Sequence, residues 1–95
     1  MINIAEELQM PIFNTIRKIA DDANIEVYVV GGYVRDLLMK KDQSETDIDF
    51  VCVGNGIEFA KKVSQNLGKN VEIKHFKNFG TAMINHKGKQ YEFVG

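Results

Sequence analysis

Apolar residues along the chain follow two spacings, and each spacing assigns an element. Behind Pro11, Ile12, Ile16, Ile19, Ala20 and Ala23 recur three to four apart, predicting an amphipathic helix whose first turn tolerates the proline. Residues 26–30 are β-branched and aromatic and predict a buried strand that runs into Gly31-Gly32. A helix follows, with Val34, Leu37 and Leu38 expected on one face, and then a polar loop over residues 40–46. Over residues 47–53 the spacing changes to two, so Ile48, Phe50 and Cys52 point to one side of a strand and Asp47, Asp49 and Val51 to the other. Gly54-Asn55-Gly56 turns the chain into a helix with the stripe Ile57, Ala60, Val63 and Leu67, capped by Gly68. The remainder reads as strand: residues 71–75, residues 80–85, a turn at His86-Lys87-Gly88, and residues 89–94 as the second arm of a hairpin. Strands alternating with helices and closed by a hairpin predict an α/β fold, a small mixed sheet with helices packed on one face.

Length limits this pattern to one compact unit of 95 residues, divided into an N-terminal helical segment (1–24) and an α/β core (25–95). With 44% hydrophobic and 26% charged residues the composition is globular rather than disordered or fibrous. The last residues, Gln90 to Gly95, stop inside a strand, so the chain reads as a fragment truncated at its C-terminus. Cys52 stands alone, which rules out an internal disulfide and a zinc cluster and points to the reducing cytoplasm. Glu6 and Glu7 near the start argue against a secretory signal, and no apolar run approaches membrane-spanning length. No obligate protein partner is inferred. A net charge of -1 is too acidic for a domain that grips nucleic-acid phosphates unaided, so any RNA grip is expected to lie mostly outside this chain.

Chemistry concentrates at two places. Asp47 and Asp49 lie two apart on a predicted strand, so their carboxylates share a face with Cα atoms about 7 Å apart. Like charges so placed repel, and a divalent cation compensates them; magnesium favours one or two carboxylates together with substrate phosphates. A solvated strand face or an Asx turn is the ordinary reading of an isolated Asp-x-Asp. Glu92 shares a face with Gln90 and Val94, opposite Tyr91 and Phe93. If the terminal hairpin lies beside residues 47–53, Glu92 adds a third acid, enough for metal-assisted phosphoryl displacement. Taken alone, Glu92 is an exposed strand residue.

Gly31-Gly32 after a buried strand lets the backbone approach a ligand, and Arg35, one turn into the next helix, carries a planar fork suited to phosphate oxygens. The alternatives are a tight turn and a surface ion pair of Arg35 with Asp36 or another acid. A dinucleotide fold fits poorly, since Gly54-Asn55-Gly56 would need a third glycine where Phe59 stands. His75 and His86, on a strand and in a turn, are read as structural. Lys74, Lys77, Lys87 and Lys89 form a basic set that suits RNA contact or edge-strand protection.

Val29-Val30-Gly31-Gly32-Tyr33-Val34-Arg35-Asp36, followed by Asp47-Ile48-Asp49 and Glu92, resembles the head domain of the class II tRNA nucleotidyltransferase and bacterial poly(A) polymerase family. Phe76 to Ala82 is also similar to a strand approach of that family. The resemblance implies a polymerase-β-like fold with Asp47 and Asp49 holding catalytic Mg²⁺. It implies Glu92 as the completing acid, and Gly31, Gly32 and Arg35 at the triphosphate. It further implies ATP and CTP as substrates and the 3′ end of tRNA as acceptor, with CCA addition as the reaction. Poly(A) tailing, partial CCA addition and a non-catalytic nucleotide- or RNA-binding module stay open.

Overall fold

The chain runs β1 (Ile2–Asn3), α1 (Pro11–Ala23), β2 (Val27–Val30), α2 (Gly32–Leu38), β3 (Ile48–Cys52), α3 (Gly56–Leu67), β4 (Glu72–Phe76), β5 (Thr81–His86) and β6 (Lys89–Val94). This is a computed structural model that describes residues 1–4, 11–39, 47–68, 71–76 and 80–95. The strands form one mixed sheet in the order β1-β2-β3-β6-β5-β4. Neighbours pair antiparallel except β3 and β6, which run parallel at its centre.

Alternation decides which face is buried. Val27, Val29, Ile48, Phe50, Cys52, Ala82, Ile84, Tyr91 and Phe93 turn inward, and α1 and α3 cover them with Ile12, Phe13, Ile16, Ile19, Phe59, Ala60 and Val63. A chain of aromatic rings ties the layers together. Phe50 stacks on Phe93 at 4.8 Å, meets Phe13 edge-on at 6.0 Å, and Phe13 in turn meets Tyr33 of α2 at 5.5 Å. Such pairs contribute about 0.5–1.5 kcal/mol each beyond the area they bury. α3 begins where the Asn55 side chain accepts the Glu58 N–H at 3.1 Å, satisfying one orphan donor of the first turn.

Several local expectations need correction. The strip Ile2–Asn3 pairs with β2 and adds a strand that was not foreseen. Phe13 and Phe59 join the core although neither belonged to the expected stripes. Leu38 is 74% exposed, because α2 ends there; Val34 is buried as expected, and the side chain of Leu37 lies outside the described residues. His86 is a strand residue paired with Lys89, leaving Lys87-Gly88 as a two-residue turn with both φ angles positive. Lys74 lies on edge strand β4 beside Glu72, at 3.8 Å, whereas Lys87 and Lys89 sit at the β5–β6 tip. The loop at 40–46 and Lys77 lie outside the described residues.

Candidate active site

The face of the sheet away from α1 and α3 carries the polar residues of the central strands. Because Ile48, Phe50 and Cys52 are buried, strand geometry forces Asp47, Asp49 and Val51 to the opposite side. Parallel pairing then sets Asp49 directly opposite Glu92, whose neighbours Tyr91 and Phe93 are buried in the same way. Backbones in this register are about 4.8 Å apart, and the two carboxyl side chains leave the same face. On the other flank Val30 is opposite Asp49, and on the far side Met83 is opposite Glu92 and Lys74 opposite Met83. One row therefore reads Val30, Asp49, Glu92, Met83, Lys74 across five strands.

Asp47 stands just ahead of β3, exposed, and its Oδ1 accepts the backbone N–H of Gln90 at 3.3 Å. This bond fixes Asp47 to the strand that carries Glu92. It was not anticipated from sequence, since a backbone donor leaves no mark on residue type. Asp49 is half-buried, and burial first, then the neighbouring Asp47 charge, push its carboxyl above the ordinary aspartate range.

Gly31 lies directly against one of these acids. Its φ is +77°, and a Cβ built there would stand 2.8 Å from Asp49 Oδ2, so the backbone of the β2–α2 turn lies against the carboxylate. Gly32 starts α2 immediately behind it. Arg35 is one turn further on, its N–H bonded to Gly31 O at 3.1 Å. Its guanidinium is turned to the Asp36 carboxylate, with Nε 3.3 Å from Oδ1, and the side chain is 69% exposed. The ion-pair alternative for Arg35 is thus realised, between an exposed guanidinium and a largely buried Asp36.

Among the described residues no three His, Cys, Asp or Glu side chains come close enough to hold a metal ion by themselves. What the geometry offers is an acid pair across two strands, a second aspartate tethered beside it, and a glycine turn against one carboxylate. These are hard oxygen donors with an open side, which suits a divalent cation shared with phosphate oxygens. His75 and His86 lie on strands β4 and β5, outside the acid row.

Comparison with known proteins identifies relatives of this chain. Residues 27–94 match the family described as the Poly A polymerase head domain. An A-adding tRNA nucleotidyltransferase of Geobacter sulfurreducens is 42% identical over 67 residues, covering 70% of this chain and 7% of that protein. One of Aquifex aeolicus is 41% identical over 70 residues, covering 74% of this chain and 8% of that protein. The chain therefore spans less than a tenth of these curated relatives. Among solved structures, a Thermotoga maritima CCA-adding enzyme in complex with tRNA is similar at a TM-score of 0.73 and 38% identity, covering 96% of this chain and 22% of the other. The polymerase-β-like α/β fold expected from the sequence is the fold of these neighbours.

Proposed function

The chain belongs to the Poly A polymerase head domain family, and on that premise we propose that it is the catalytic head of an RNA nucleotidyltransferase. In this reading it adds CMP and AMP, taken from CTP and ATP, to the 3′ end of tRNA to build CCA. The observation that carries the reading is the register Asp49 opposite Glu92, with the Gly31 turn pressed against Asp49.

Asp47 and Asp49 are the residues that would hold Mg²⁺, and the donor set fits: carboxylate oxygens, two close to one another, with room for phosphate oxygens to complete the shell. When bound, the ion would neutralise charge on the triphosphate and favour ionisation of the attacking hydroxyl. Gly31 and Gly32 offer close backbone approach to the triphosphate, and Arg35, exposed, supplies a bidentate fork for its oxygens. Glu92 would complete the carboxylate set beside Asp49. The 3′-hydroxyl attacks the α-phosphorus, the bond to the pyrophosphate oxygen breaks, and the RNA leaves one nucleotide longer. Rate enhancement rests on positioning and charge neutralisation rather than on a covalent step with the protein.

A second reading, addition of the terminal adenosine alone, is favoured by the names of the two curated relatives. Labelled CTP and ATP offered with tRNA ending before CCA and with tRNA ending in CC separate the two, and continued ATP incorporation would identify poly(A) tailing instead. In the full-length protein, Asp47→Ala and Asp49→Ala should each abolish incorporation; retention of wild-type incorporation by both sinks the catalytic reading and leaves a binding module. We assign the protein to the cytoplasm, where tRNA is the available acceptor and the single thiol stays reduced. No helix among the described residues is long and apolar enough to cross a membrane.

A further inference from the structure

Beside Glu92 the open face of the sheet holds a depression of about 20 Å³, lined by Glu72, Lys74, Met83, Asn85 and Gln90. It lies between two cross-strand rows. Lys74 and Met83 continue the row of Asp49 and Glu92, whereas Glu72, Asn85 and Gln90 form the next row, on the side of Asp47. A hollow of this size accommodates a group about as large as one water or hydroxyl. Its rim is polar: two exposed amides, an ammonium and a carboxylate, with the Lys74–Glu72 pair at 3.8 Å.

Position within the reaction decides what that group is. Resting on the nucleotidyltransferase reading above, the triphosphate lies on the Gly31 side of Asp49, where the glycine backbone comes up against the carboxylate. A displacement in line with departing pyrophosphate brings the attacking 3′-hydroxyl from the other side, over Glu92. The next surface in that direction is Met83 and the depression. The primer's terminal ribose carries, next to its reacting hydroxyl, a 2′-hydroxyl that both donates and accepts hydrogen bonds. Amide side chains offer both capacities too.

We propose that the depression between Met83, Asn85 and Gln90 receives the 2′-hydroxyl of the primer's terminal ribose, making this head selective for RNA ends, with Lys74 on the preceding phosphate. Edge-strand charge alone would account for Lys74 and Glu72, but not for a hydroxyl-sized hollow flanked by amides one strand from the acid pair.

The same vicinal diol occurs on the incoming nucleotide, so the test has two arms. Full-length protein is assayed with truncated tRNA ending in ribose or in 2′-deoxyribose, and separately with ATP or 2′-deoxy-ATP. Wild type should prefer the ribose end by about 5- to 10-fold in kcat/KM, the scale of one well-made hydrogen bond. Gln90→Ala and Asn85→Ala should each shrink that preference through KM for RNA, leaving KM for ATP and the ATP/2′-deoxy-ATP ratio unchanged. Lys74→Ala should raise KM for both ends alike. An unaltered preference in the two amide variants, or a change confined to the 2′-deoxy-ATP arm, overturns the assignment. If Asp47→Ala and Asp49→Ala abolish incorporation while the amide variants behave as wild type, this inference alone fails; if those aspartates prove dispensable, the reading beneath it fails as well.

Discussion

Gly31 and Asp49 are in such close approach that a single methyl group on the glycine would stand 2.8 Å from the carboxylate Oδ2. The turn after β2 and the acid of β3 are therefore fitted to each other. Gly31→Ala combines that collision with a left-handed φ of +77°. It should cost about 1–2 kcal/mol of stability, measured by urea unfolding. Its kcat/KM for nucleotide should fall by at least about 10-fold, more than the residual unfolded fraction accounts for. Wild-type nucleotide kinetics in a destabilised Gly31→Ala protein would show that the close approach has no role in catalysis.

Asp49→Asn should separate catalysis from folding. The native carboxyl is raised above its unfolded value, so its contribution to stability is complete at pH below the ordinary aspartate range and is lost as pH rises through the native value. At pH 7 without metal, the neutral asparagine should consequently melt higher than wild type, and the gap should close on acidification. Activity should drop about 10²-fold or more. Mg²⁺ should raise the wild-type melting temperature and leave the variant unmoved, the signature of a lost binding site. Equal stabilisation of both proteins by Mg²⁺ would place the ion elsewhere.

The raised pKa of the Asp49 carboxyl can be followed directly by titration. In the metal-free protein the Asp49 carboxyl should titrate above the ordinary aspartate range. In Asp47→Asn, loss of the adjacent charge should move the Asp49 carboxyl resonance, followed by NMR, to titrate at lower pH. An upward move would contradict the like-charge assignment.

Phe50 and Phe93 are fully buried and stacked at 4.8 Å under the strands that carry Asp49 and Glu92. Phe93→Ala should cost about 3–5 kcal/mol, a large share of the whole stability of a domain this size. Thermal melts should show a protein largely unfolded at 37 °C, whereas Phe93→Leu should stay folded and keep Mg²⁺-dependent stabilisation.

Cys52 is 2% exposed, and burial pushes its thiol up to about 12. A native sample at pH 8 should resist a thiol-directed reagent for hours and react at once in guanidinium. Rapid native labelling would mean that the helix-covered face opens readily.

The residues themselves announced one half of the candidate site. Period-two alternation leaves Asp47 and Asp49 no option but the face opposite Ile48 and Phe50, and the same logic turns Glu92 away from Tyr91 and Phe93. That the two faces are one face depends on β3 pairing with β6, a contact no local pattern encodes; the structure supplies it, in parallel sense. Other misreadings have equally local causes. Two paired residues at Ile2–Asn3 are too few to show a period. Lys87 occupies a positive φ usually left to Asn, Asp or Gly, so the β5–β6 turn reads one residue too long. Leu38 resembles a core residue by type, yet falls in the last turn of a seven-residue helix, beyond the sheet it was expected to cover.

The tether from Gln90 N–H to Asp47 spans 43 positions of sequence, and the strand pairing beside it spans as many. Closing so wide a loop costs more chain entropy than closing the two-residue turn between β5 and β6. During synthesis Asp47 and Asp49 are therefore on the chain well before Glu92 is made and can be set beside them. Until β6 emerges and slots in beside its parallel neighbour, such an intermediate lacks the acid row on which the proposed chemistry depends.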